Sequence, residues 1–310
     1  MAGGRMRLLI LGASGFLGGH VWRQATAAGA EVVTAGRAGL PCSPAHERLD
    51  LAADDPAGIA EIIAAVAPDA IANCAGLTVG SPDVLAAANI TGTYTLVRAM
   101  LLAETPARLV HLGSAAEYGG AEPGVPLNES APPRPGAPYG ATKLAGTRLV
   151  ELGRAAGLDA VVLRVFNPVG AGAPDSGLPG RVATQLRRAL AGDAELRLGP
   201  LDAVRDFVDA RDVATAVLAA AAAPAPPHAV LNIGSGTAVP ARTLVKELIA
   251  VTGYAGPVHE DSAGSARSGD LDWQQADIGL ARLDLGWQPR RDLAASLDDL
   301  WEASSAPALH

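Results

Sequence analysis

Leu8 to Leu11 are four apolar residues in a row with no polar alternation, the pattern of a parallel strand covered on both faces. Similar short runs recur at Glu31 to Ala35, Arg48 to Leu51, Pro68 to Asn73, Leu109 to Ser114, Ala160 to Val165 and Ala229 to Ile233. Helical stretches separate them. The first runs from Phe16 to about Ala28; a second opens on Asp55-Pro56, an N-cap followed by the residue favoured at the first helical position, and continues to about Ala67. Ser81-Pro82 repeats that signature before a helix carrying Asn89 near its middle, and Tyr139 to Ala156 forms another. Strands alternating with helices predict an α/β fold with a doubly wound parallel sheet.

Composition shifts after Gly170. A loop to Gly180, a helix from Arg181 to Ala191, a short strand at Glu195 to Leu198, an alanine-rich helix ending at Ala223 and a helix from Pro240 to Gly253 follow. The rest is polar and loop-rich, with Trp273, Trp287 and Trp301 available to pack a small lobe. The expected division is a dinucleotide-binding domain over residues 1–169, with 207–253 returning to it, and a smaller C-terminal α/β lobe from 170–206 and 254–310 that closes a substrate cleft.

The first strand breaks into Gly12-Ala-Ser14-Gly15-Phe16-Leu17-Gly18. Gly12 suits a tight turn, Gly15 lets a diphosphate approach the main chain, and Gly18 lets the next helix pack closely. That helix aims its free N–H groups at the diphosphate. A dinucleotide therefore belongs here, with Ser14, Phe16 and Leu17 counted among its contacts. Where an acidic residue would bind the ribose 2′-OH stands Gly36, followed by Arg37; the space and the guanidinium favour NADP(H), with NAD(H) possible. Asp50, next to Leu51, can accept from the adenine amino group, and the small residues Cys74, Ala75 and Gly76 leave room for a cofactor across the strand ends.

At 310 residues, 49% hydrophobic, the chain can bury one large core. A formal charge of −8 argues against a nucleic-acid or anionic-membrane partner. Lys143 and Lys246 are the only lysines, so arginine carries almost all the positive charge. Two cysteines, Cys42 and Cys74, make neither a disulfide framework nor a metal site. The first strand starts too early for a signal peptide, and the apolar stretch around Val213 to Ala223 is too short to span a bilayer. A cytoplasmic protein is expected.

Tyr139 and Lys143 lie four apart, on one side of a helix. An ammonium nearby favours the phenolate, so the phenol can exchange a proton with a carbonyl or carbinol oxygen near neutral pH. Ser114, at the end of its strand, can hold the same oxygen. A Gly/Pro-rich loop from Gly119 to Pro138 separates them, at the end of the sheet where sites are built.

With Gly12-x-x-Gly15-x-x-Gly18, Asp50, Asn89-x-x-Gly-Thr, Ser114-x-x-x-Tyr118-Gly119, Tyr139-x-x-x-Lys143 and Phe166-Asn167-Pro168, the chain resembles the extended short-chain dehydrogenase/reductases that act on nucleotide sugars, over nearly its whole length. The resemblance implies a Rossmann-type fold, a Ser114, Tyr139, Lys143 catalytic triad with Lys143 also on the nicotinamide ribose, and cofactor contacts from Asn89, Phe166 and Pro168. It implies that Thr78, Ser114, Tyr139, Asn167, Arg205, Arg267 and Asp270 hold a nucleotide-diphosphate sugar, with no metal, and that the protein is a homodimer through the helices containing Asn89 and Tyr139.

Ala115 and Ala116 stand where 4,6-dehydratases of the group carry an Asp-Glu pair, so dehydration is not expected. Gly36-Arg37 tilts toward a reductase that consumes NADPH, and Leu201 to Val213 resembles GDP-4-keto-6-deoxymannose reductases. Cys74 to Gly80 resembles sugar 4-epimerases instead, and Gly113 departs from the usual serine. The expected reaction is reduction of a nucleotide-diphosphate 4-keto-6-deoxyhexose. A 4-epimerase that retains NAD, a reductase of a non-nucleotide carbonyl compound and a non-catalytic NADP-binding regulator are the alternatives.

Overall fold

The computed structural model describes residues 5–38, 43, 45–224, 226–261 and 272–303. Its main sheet has seven strands: β1 (Arg7–Leu11), β2 (Glu31–Gly36), β3 (His46–Arg48), β4 (Ala70–Asn73), β5 (Arg108–Ser114), β6 (Ala160–Val165) and β7 (Val230–Ile233). All pair in parallel, in the order β7-β6-β5-β4-β1-β2-β3. The chain first winds outward from β1 to β3, then returns to lay β4 against β1. The crevice at this reversal, outside the carboxyl ends of β1 and β4, is where open α/β sheets bind ligands.

The unbroken apolar runs follow from burial on both faces. Along β1, Leu8 and Ile10 face one side and Leu9 and Leu11 the other, and all four are at most 1% exposed. The first side is covered by Val21 of α1 (Phe16–Ala27) and Val213 and Val217 of α7 (Ala210–Ala222). The second is covered by Ile59 and Ile63 of α2 (Pro56–Val66), Leu96 and Met100 of α4 (Gly92–Leu102) and Val150 of α5 (Pro138–Ala155). Ahead of α4 come α3 (Pro82–Ala86) and a π-turn over Ala87–Thr91. The continuous helix 82–102 is, among the described residues, long and apolar enough by length and composition to cross a membrane, and half of its apolar window is buried within the protein.

A second cluster joins α6 (Leu178–Leu190), α8 (Ala241–Thr252) and α10 (Leu293–Ala303) through Leu186, Leu244, Leu248, Leu297 and Leu300. Residues 241–252, expected back on the first domain, thus pack in the lobe. Trp287 goes the other way. It sits with Val213 and Ala281 in the main core, near α9 (Gly279–Leu285), and its indole donates to Asp212 O and Thr215 Oγ1 at 3.1 and 3.0 Å. Trp301 does pack on the lobe, under the Arg187 guanidinium at 3.9 Å.

Other departures have local causes. The third strand ends at Arg48 rather than spanning Arg48 to Leu51, because Leu49 and Leu51 belong to the following turn and are apolar for the core they enter. Asp55 caps α2 by position alone, with no side-chain hydrogen bond, whereas Ser81 Oγ does accept from Val84 N at 3.4 Å. Pro240 precedes α8 as its N-cap, and Gly253 closes it in the left-handed conformation at φ 68°.

Candidate active site

At the end of β1, Gly12 takes φ 75°, a value open to few residues but glycine. A Cβ there would lie 2.8 Å from Ala75 main-chain atoms, so the close approach of the β1 and β4 exits requires its absence. At Gly18 a Cβ would lie 2.1 Å from the Gly12 carbonyl oxygen, which is how closely α1 is drawn onto the turn. Helix α1 opens without a side-chain cap and without an acidic residue in its first turn, so its N–H groups and positive dipole end are left for an anion. Ser14 and Gly15 are exposed there, and Phe16 and Leu17 half-buried. This cradle fits the diphosphate of a dinucleotide.

At the end of β2, Gly36 pairs in register with Arg48 of β3. A side chain at 36 would meet nothing within 4 Å. Arg37, Arg48, Leu49, Asp50 and Asp54 line a cavity of about 210 Å³ beside it. Nothing local in the sequence points to Arg48; the strand register brings it alongside Arg37. Asp50 and Asp54 brace the turn, with Asp54 Oδ2 accepting from Asp50 N at 2.6 Å and Asp50 Oδ1 from Ala52 N at 3.0 Å.

Beyond β4, Cys74 is partly covered, and desolvation pushes its thiol up to about 12. Asn89 is 2% exposed and bound up within the protein. Its Oδ1 accepts from Leu77 N, and its Nδ2 donates to Leu77 O and Thr142 Oγ1, all at 2.9–3.0 Å. Through these bonds the side chain ties the loop after β4 to α5. The π-turn around it is set by this tertiary arrangement and had no local sequence signal.

Three expected residues gather at the carboxyl end of β5. Ser114 is the last residue of the strand, 8% exposed. Tyr139 stands in the first turn of α5, and a Cβ at its neighbour Gly140 would lie 2.3 Å from Ala116 O. The helix start is therefore pressed onto the turn that follows Ser114. One helical turn on, Lys143 is 7% exposed and its Nζ donates to Leu112 O at 2.5 Å. Burial lowers its pKa, and the charge of Glu117 opposes that shift. Beneath it, His111 is 1% exposed and its pKa falls well below the usual value through desolvation.

Elements that the sequence did not flag hold this end of the sheet. Glu117, fully buried, accepts from Ser114 N through Oε1 and from Arg164 Nε and Thr147 Oγ1 through Oε2, each at 2.8 Å. Arg164 also lies 4.6 Å from the centre of the Tyr118 ring, whose hydroxyl donates to Asn232 at 2.8 Å. Sequence separation hides the set: Glu117 and Arg164 are 47 positions apart.

Expected substrate-side residues fall into three groups. Thr78 Oγ1, on the loop after β4, lies 3.4 Å from Ser176 Oγ, just ahead of α6. Asn167 and Arg205 bound the lobe side: Asn167 Nδ2 donates to Asp206 O at 2.9 Å, and Arg205, 7% exposed, donates to Val204 O at 2.8 Å. Arg267 and Asp270 lie outside the described residues, as does Cys42. Phe166, expected among the cofactor contacts, lies directly before Asn167. It has no exposed surface and packs with Tyr118, Leu127 and Ile278, so it buttresses the 115–118 turn. Pro168 next to it is half-buried.

Comparison with known proteins matches residues 8–234 to the NAD dependent epimerase/dehydratase family. The dTDP-6-deoxy-L-talose 4-dehydrogenase (NAD(P)(+)) of Kitasatospora kifunensis is 42% identical over 310 residues, 96% of each chain. A UDP-glucose 4-epimerase of Streptomyces lividans is 33% identical, covering 97% of this chain and 96% of its own. Among solved structures, MoeE5 in complex with UDP-glucose and NAD superposes with TM-score 0.84 at 30% identity, over 96% of this chain and 98% of that one. RMD from Pseudomonas aeruginosa complexed with NADPH gives 0.83 at 26%, over 97% and 100%.

Proposed function

The chain belongs to the NAD-dependent epimerase/dehydratase family of extended short-chain dehydrogenase/reductases, and from that premise we propose that it interconverts the C4 alcohol and ketone of a nucleoside-diphosphate 6-deoxyhexose with NADP(H). The observation that supports the reading is the packing of the first turn of α5 against the turn after β5, which brings the helix that carries Tyr139 and Lys143 to the strand end at Ser114. The 42% identity with a 4-dehydrogenase of such a sugar, over 96% of both chains, supports the substrate class.

A nicotinamide cofactor held on the glycine turn would supply or take up the hydride at C4; proton transfer and orientation would fall to side chains. In the reducing direction the Tyr139 hydroxyl gives a proton to the C4 oxygen, and Ser114 orients the carbonyl. Lys143, held on Leu112 O and one helical turn from Tyr139, would set a positive charge near the phenol and favour its release of that proton. Ala115 and Ala116, in the place where a dehydratase needs acid and base, can move no proton and leave redox chemistry at C4 as the reaction.

NADP(H) is the finer proposal. Open space at Gly36, with Arg37 and Arg48 on the cavity beside it, favours a 2′-phosphate. The nucleotide's diphosphate would meet Arg205 and Asn167 at the lobe. A homodimer is proposed through α4 and α5, where Tyr94, Leu102 and Leu152 expose large apolar surface.

A UDP-sugar 4-epimerase is the second reading, favoured by the 33% identity with one such enzyme. The deciding experiment offers purified protein dTDP-6-deoxy-L-talose, a GDP-linked 6-deoxyhexose and UDP-glucose, each with NADP⁺, with NAD⁺ and with no added cofactor. Formation of reduced nicotinamide with a 6-deoxyhexose nucleotide supports the proposal. UDP-galactose formed from UDP-glucose without added cofactor, with NAD co-purifying, replaces it by the epimerase.

A further inference from the structure

Beside Ser114 stands Gly113, and its lack of a side chain has a cause within the sheet. A Cβ at 113 would lie 2.7 Å from Glu117 Oε1, 2.9 Å from Val162 Cγ1 and 3.3 Å from Arg164 Cγ. The carboxylate of Glu117 occupies the space that any side chain at 113 would need. It is locked there by three donors from different elements: the Ser114 main chain, Thr147 on α5 and Arg164 on β6, the residue in register with Gly113. Thr147 follows Lys143 by four residues, so one face of α5 presents Tyr139, Lys143 and Thr147 in succession.

We propose that Glu117 is a positioning residue of this site, seated in a slot that glycine at 113 keeps open, and that it fixes the Ser114 main chain and α5 while balancing the buried positive charges of Arg164 and Lys143. The inference rests on the assignment of Ser114, Tyr139 and Lys143 made above, and goes beyond it to a residue that touches neither substrate nor cofactor.

The electrostatics agree. Burial works against the Lys143 ammonium, and the groups whose charges oppose that are Glu117 and, were it ionised, Cys74. Cys74 keeps its proton up to about 12, and His111 below is held neutral by desolvation, so neither supplies charge near neutrality. Glu117 alone of these offers an anion. Without it Lys143 releases its proton at lower pH, and the phenol loses its charged neighbour.

The test uses the full chain with dTDP-6-deoxy-L-talose and NADP⁺. Glu117→Gln keeps the shape and an acceptor but removes the charge. It should lower kcat at least tenfold, leave KM and NADPH affinity within twofold, and move the alkaline limb of the kcat profile to lower pH. Because Glu117→Gln leaves Arg164 uncompensated, Glu117→Gln with Arg164→Met removes both charges together and should show the same kcat loss and pH shift in a folded protein. Gly113→Ser, which pushes the carboxylate from its slot, should reproduce the fall in kcat. Wild-type kcat and pH profile in the double variant overturn the proposal, as does a kcat loss that only follows the folded fraction measured by circular dichroism. Failure of the underlying site assignment is separable: it appears as turnover surviving in Tyr139→Phe.

Discussion

Replacing Arg37 and Arg48 together by alanine tests how the cofactor is chosen. The two side chains line one cavity at the end of β2 and are exposed, so their contacts with a 2′-phosphate work in a screened environment. A charge-assisted hydrogen bond contributes about 1.5–3 kcal/mol when desolvated, and exposure reduces each to roughly 1 kcal/mol. Two such contacts sum to about 2 kcal/mol, or a roughly thirtyfold weaker NADPH complex. NADH lacks the phosphate and should bind the variant as it binds the wild type, within about twofold by the same arithmetic. Fluorescence titration of both cofactors at low and high salt measures this, and salt should weaken NADPH binding more in the wild type than in the variant. Equal losses for NADH and NADPH, or an unchanged preference, would refute the reasoning.

Gly18→Ala puts a Cβ 2.1 Å from the Gly12 carbonyl oxygen; overpacking of this kind costs about 1–3 kcal/mol, so the melting temperature should fall and cofactor affinity with it, checked by calorimetry and titration. Cys74, its thiol raised to about 12, should resist iodoacetamide in the native protein at about pH 8 and react on denaturation, as read by peptide mass spectrometry. Burial holds the folded pKa of His111 well below the ordinary histidine value of about 6.5, so below that pH the unfolded chain takes up a proton that the folded chain refuses. Stability should therefore decline as pH falls through this range, and His111→Gln should flatten that part of the melting-temperature profile.

How much the sequence disclosed depended on the range of the interactions involved. β6 was read with its full extent, Ala160 to Val165, because burial on both faces writes itself as an unbroken apolar run. The glycine turn was equally legible, since a positive φ and a close approach each demand a particular residue at a fixed spacing. Burial without direction misled at Leu49 and Leu51, where core-facing turn residues imitated a strand. Side-chain ties across the fold left no local trace. Asn89 stands in a recognisable motif, yet nothing local announces that its amide donates to Leu77 and Thr142. Nor does the Phe166-Asn167-Pro168 motif announce that Phe166 is completely buried. Glu117, Arg164 and Arg48 acquire their roles only from strand register and the packing of α5.

The central claim is that the Tyr139 hydroxyl moves the proton at this site, and Tyr139→Phe addresses it with the loss of a single oxygen. NADPH titration of that variant should match the wild type within about twofold, while turnover of the nucleotide sugar falls roughly a hundredfold to ten-thousandfold. Turnover preserved at the wild-type level, with the cofactor still bound, would contradict the account.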